Sequence, residues 1–106
     1  MFIQVDLGPM PPVVTLEEPD DTKQFHVRVV GGDDIRLVFA ALVDAAAGRL
    51  EDADAWITVD SVRRMARGQV GPGWDDEFAA MLDFARSKGW VDEHSNAIQA
   101  HIEWPP

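Results

Sequence analysis

The sequence predicts an α+β fold of about three helices with a small antiparallel sheet. Three observations carry that reading. Apolar residues recur at helical spacing in three runs, over about 34–47, 58–67 and 74–88. The segment Ala97 to Trp104 alternates strictly, with Ile98, Ala100, Ile102 and Trp104 on one side and Gln99, His101 and Glu103 on the other. Gly and Pro punctuate the joints between these runs. At 106 residues and 46% hydrophobic the chain reads as one globular unit able to bury a core.

Residues 1–24 read as a loosely structured N-terminal arm that packs partly or frays. Phe2 to Val5 and Val13 to Leu16 are short strand candidates. Gly8-Pro9 and Pro11-Pro12 interrupt any ladder between them, and Glu17 to Thr22 forms an acidic loop. The folded part is expected over 25–106. Phe25 to Val30 alternates and ends β-branched, as a strand does, and Gly31-Gly32 closes it. Asp33 or Asp34 can cap the first helix, whose buried face would be Ile35, Val38, Phe39, Leu42 and Ala46, with Gly48 as its stop. Glu51 to Asp54 follows as an acidic loop, then Trp56-Ile57 as a short sheet-forming pair.

Thr58 or Asp60 can cap the second helix, which would bury Val59, Val62, Met65 and Ala66 and end at Gly68. A breaker-rich turn, Gly68 to Gly73, leads to the third helix at Trp74. Its acidic first turn, Asp75, Asp76 and Glu77, suits the helix dipole, and Phe78, Met81, Leu82 and Ala85 form its apolar face. Phe84 adds a second contact surface, and Gly89 closes the helix. Trp90-Val91 starts a strand, and Asp92 to Asn96 turns into the strand at 97–104. The four Trp lie at 56, 74, 90 and 104, so the core is expected to centre on the second half.

The run Thr58 to Ala66, and the run Phe78 to Val91 ending Ala85-Arg86-Ser87-Lys88-Gly89-Trp90-Val91, resemble the two helices and the first wing strand of a winged helix-turn-helix. The resemblance covers about 34–104, lies at the level of the fold, and implies the order helix, strand, helix, helix, strand, strand. It also implies DNA binding through the second of the paired helices. Two features depart from that layout: the turn at 68–73 is long and glycine-rich, and the helix in the reading position opens with three acids.

The formal net charge is -10, from 19 Asp and Glu against 9 Lys and Arg, a balance that phosphates and anionic membranes repel. No apolar run approaches the ~18 residues of a membrane span. Met1 to Leu7 carries Asp6 and no basic residue, unlike a signal peptide. The chain has no cysteine, which removes disulfides, thiolate metal sites and a thiol nucleophile, and fits a cytoplasmic setting. Richness in Ala, Asp, Val and Arg fits a high-GC bacterial coding sequence.

The expected function is a non-catalytic protein-interaction domain with no cofactor. Asp75, Asp76 and Asp83 would meet a basic protein, with Trp74 and Trp90 as candidate aromatic anchors at the ends of the third helix, although each borders a breaker-rich turn and packing into the core explains it more simply. Self-association through a sheet edge or the aromatics is the other partner expectation. The alternative is a nucleic-acid-associated regulator in which Arg63, Arg64 and Arg67 touch phosphates, although a solvated arginine face paired with Asp60 and nearby acids explains those residues better, since three arginines do not outweigh a charge of -10. A small-ligand protein or enzyme ranks third. Ser61, Ser87 and Ser95 sit at a helix start, a helix end and a turn rather than in a nucleophile elbow. A metal would need three convergent ligands. His101 and Glu103 share a strand face that His26 would join if its strand were the neighbour, while His94 lies in a turn with Asp92 and Glu93.

Overall fold

A computed structural model describes residues 1–106. The elements in order are β1 (Phe2–Asp6), β2 (Val13–Glu17), β3 (His26–Val30), α1 (Ile35–Asp44), β4 (Gly48–Glu51), β5 (Asp54–Thr58), α2 (Val59–Ala66), α3 (Trp74–Ser87), β6 (Val91–Asp92) and β7 (Ala97–Glu103). The fold is α+β with three helices, as the periodicity implies. The sheet is larger than expected and is mixed. It has seven strands in the order β2-β1-β3-β7-β5-β4, with β6 also on β7. β1 with β3 and β3 with β7 run parallel, and every other pair is antiparallel. From α1 onward the chain order matches the one the resemblance implied, with a β4–β5 hairpin where one strand was expected.

The loose N-terminal arm over 1–24 is overturned. β1 lies between β2 and β3 in the sheet, so no boundary falls at 24/25. Met1, Ile3 and Val5 are fully buried and Leu16 nearly so. Gly8-Pro9 and Pro11-Pro12 lie in the connection that folds β2 back onto β1, so the breakers turn the chain rather than end its order. The Met1 amine donates to the Asp21 carbonyl at 2.9 Å, tying the following loop to the strand start.

Strand alternation sorts side chains to two faces. Ile3, Val5, Leu16, Val27, Val29, Ala55, Ile57, Ile98 and Ala100 join the helix residues Val38, Ala41, Leu42, Val62, Phe78, Leu82 and Ala85 in one core. The core therefore runs through the first half as well as the second. Trp74 is its one deeply buried indole, whereas Trp90 and Trp104 stay exposed. The opposite sheet face carries Gln4, Arg28, Trp56, Gln99, His101 and Glu103, all partly or fully exposed.

The caps resolve as Asp34, which accepts from the Arg36 N–H, and Thr58, which accepts from the Ser61 N–H at 3.2 Å. α1 is shorter than 34–47. Ala45 caps it and Ala46 turns left-handed at φ 52, so Gly48 is not its stop but the first residue of β4. There a Cβ would overlap the Trp56 carbonyl, and only glycine lets the two strands approach. The acidic loop at 51–54 is the tight turn of this hairpin, with Asp52 at φ 57.

Candidate interaction surfaces

The expected burial face of α1 is corrected. Val38, Ala41 and Leu42 are buried, while Ile35 (48% exposed), Phe39 (47%) and Val43 (52%) face solvent with Leu37. Eight of the ten α1 residues are apolar, so sequence periodicity could not choose which arc the sheet would cover. Seven α1 positions are exposed and five of them are apolar: Ile35, Leu37, Phe39, Ala40 and Val43. Arg36 and Asp44 are the other two. Arg36 turns back to Asp34 at 3.3 Å, and Asp44 makes no ion pair.

α3 is covered on one face. Trp74 is buried, stacks on Phe78 at 4.8 Å and donates its indole N–H to the Pro19 carbonyl at 2.7 Å, so it belongs to the core and not to a free anchor surface. Trp90 is 44% exposed and meets Phe84, 57% exposed, edge to face at 6.0 Å. The Lys88 ammonium sits 5.6 Å from the Phe84 ring centre. Phe84 borders a shallow cleft of about 400 Å³ with Thr22, Lys23, Glu77, Ala80 and Met81. Trp90 borders a second, of about 260 Å³, with Phe25, Asp54, Gln99 and His101.

The acids of α3 are exposed but not all free. Asp83 pairs with Arg86 at 2.9 Å, and Arg86 also holds Glu93. Asp75 lies 4.0 Å from Arg63, while Asp76 has no such partner. The three arginines of α2 diverge. Arg63 lies over the Phe78 ring at 5.1 Å, with its Nε buried and unpartnered. Arg64 donates to the Ala45 carbonyl at 3.0 Å. Arg67 is exposed beside Val70 and Trp74. None of the three pairs with Asp60, so α2 offers one free guanidinium rather than a phosphate clamp.

On the open sheet face, β3 and β7 are neighbours, and they bring His26, His101 and Glu103 together. His26 is buried, stacked between Phe2 at 5.0 Å and His101 at 5.6 Å. Its Nε2 is 3.3 Å from a Glu103 oxygen that also lies 3.7 Å from His101. Arg28 holds the other Glu103 oxygen at 3.4 Å and covers the Phe2 ring. The two imidazoles stack within 23° of parallel, and no group of three or more ligating residues is arranged to hold a metal. Burial holds His26 below its ordinary value of 6.5; Glu103 opposes this, while His101, Arg28 and the N-terminal amine add to it.

The serines have structural partners. The Ser61 hydroxyl donates to the Thr58 carbonyl at 2.8 Å, and the Ser87 hydroxyl to the Phe84 carbonyl at 2.6 Å. The Ser95 hydroxyl donates to Asp92 at 2.8 Å. Arg49 binds both residues, at 3.0 Å each, and so staples β4 to the β6–β7 turn. The Ser95 hydroxyl bond, with backbone N–H groups and Arg49 behind it, lowers the Asp92 carboxyl below its usual value. His94 lies in that turn, where its backbone N–H donates to Asp92 at 3.0 Å. No helix is long and apolar enough to cross a membrane.

Sequence reasoning missed the apolar face of α1, because its residues carry the same signal as core. It also missed Phe25 beside Trp90 and Lys23 beside Phe84, because the loop before β3 reaches those aromatics only in three dimensions. No protein-family model, curated protein or solved structure matched the chain.

Proposed function

We propose that this chain is a non-catalytic protein-interaction domain, working in the cytoplasm. The observation that carries the reading is α1: a helix apolar almost all round, packed on one side and open on the other. A helix of that composition is one that burial on all sides would suit, and here half of it meets water. The Phe84–Trp90 pair is a second aromatic surface, and the unpaired, exposed Asp76 in the first turn of the same helix favours a partner with basic residues.

The test is site-specific photo-crosslinking in cells. A photoreactive phenylalanine analogue replaces Phe39, or Phe84, with Glu51 at the β4–β5 turn as the control site. A discrete adduct from position 39 or 84, absent from the control, is the expected result. No adduct from either position overturns the reading. A salt-sensitive complex of the purified chain with duplex DNA, lost on Arg67→Ala, would put the nucleic-acid alternative in its place.

A further inference from the structure

We infer that the partner of α1 is a second copy of this chain, bound helix to helix about a two-fold axis near Phe39 and Ala40. The inference rests on the interaction reading above and names its occupant. Two adjacent i, i+4 rows run along the exposed side of α1. One row is Ile35, Phe39 and Val43, each about half exposed. The other is Arg36, Ala40 and Asp44, all exposed.

A two-fold axis lying across an antiparallel helix pair sets each row against its own reverse. Ile35 then meets Val43 of the other copy, Phe39 meets Phe39, and Ala40 meets Ala40 at the close approach. Arg36 meets Asp44 twice. Both rows are complementary to themselves in this orientation, which is what an isologous contact requires. A parallel pair would set Arg36 against Arg36 and Asp44 against Asp44.

The signs of these charges add a further reason. A cation in the first turn and an anion in the last oppose the dipole of their own helix. The same signs suit a neighbouring antiparallel helix, whose C-terminus lies beside Arg36 and whose N-terminus lies beside Asp44. The Arg36 side chain is 88% exposed, and its contact with Asp34 is a surface pair that a cross-copy partner can replace. Asp44 has no ion-pair partner to give up.

The experiment measures the mass of the purified full chain by light scattering and sedimentation across a wide concentration range. The expected result is a dimer. Phe39→Asp should shift it to monomer without changing the circular dichroism. Arg36→Asp and Asp44→Arg should each weaken the dimer roughly tenfold by setting like charges together, and the double variant should restore it. A monomer at every concentration overturns the second copy as occupant. So does a dimer indifferent to Phe39→Asp, or a double variant no better than the singles. If the purified chain is a monomer while the Phe39 cross-link in cells gives an adduct of a different mass, the interaction reading stands and this inference falls. No adduct and no dimer removes both.

Discussion

Acidification should destabilise the fold through His26, and replacing that one ring should remove the effect. In the folded chain His26 is 6% exposed, its ring stacked between Phe2 and His101. Protonation there would place a cation near Arg28, His101 and the N-terminal amine, with the Glu103 carboxylate at 3.3 Å as the compensating charge. Burial outweighs that compensation, so the folded pKa lies below the unfolded value of 6.5. The sign follows from linkage. Above the unfolded value neither state holds the proton and His26 contributes no pH dependence. As pH falls through 6.5 the unfolded chain takes up a proton that the folded chain refuses, so stability is lost until the folded pKa is reached. One group can contribute a slope of at most about 1.4 kcal/mol per pH unit in that window. The assay is urea unfolding between about pH 8 and 5, for the parent and for His26→Phe, which keeps a ring in the stack and takes no proton. Titrations remote from the His26–Glu103 cluster are common to both proteins and cancel in the difference. The difference should be flat at the alkaline end and turn against the parent below 6.5. A difference that stays flat throughout, or favours the parent on acidification, would refute the reasoning.

Two further outcomes follow from packing. Gly48→Ala places a methyl group against the Trp56 carbonyl and 3.1 Å from the Ile57 Cα, so β4 must shift. A loss of about 1–3 kcal/mol in urea unfolding is expected, whereas Gly71→Ala, with nothing within 4 Å, should be close to neutral. Phe78→Ala empties a fully buried site stacked on Trp74 and removes the ring beneath Arg63. It should cost about 3–5 kcal/mol, with a change in Trp fluorescence as the second readout.

Part of the candidate surface was legible before any fold was known. Trp90 and Phe84 were marked by their places at and near the end of α3, and both remain exposed. Trp74 carried the same sequence signal at the other end and is buried, because the loop before β3 crosses over it and offers the Pro19 carbonyl to its indole. The arginines of α2 form a basic cluster along the chain. In three dimensions Arg63 lies over an aromatic ring and Arg64 against a carbonyl, so the cluster does not act as one charge.

The sequence by itself determined the local elements. The spacing of Val59, Val62 and Ala66, the presence of a capping residue at 33–34 and at 58–60, the acidic first turn of α3 and the alternation of 97–103 are short-range patterns, and backbone geometry answers to them directly. Only the tertiary structure decided which strands are neighbours. β1 pairs with β3, and β3 with β7, in parallel across long connections, and no local pattern encodes such a register. That pairing drew residues 1–24 into the sheet and brought His26 to Glu103. It also left α1 covered on one arc: the sheet can bury only one side of a helix, and the other side of this helix, apolar nearly all round, meets water.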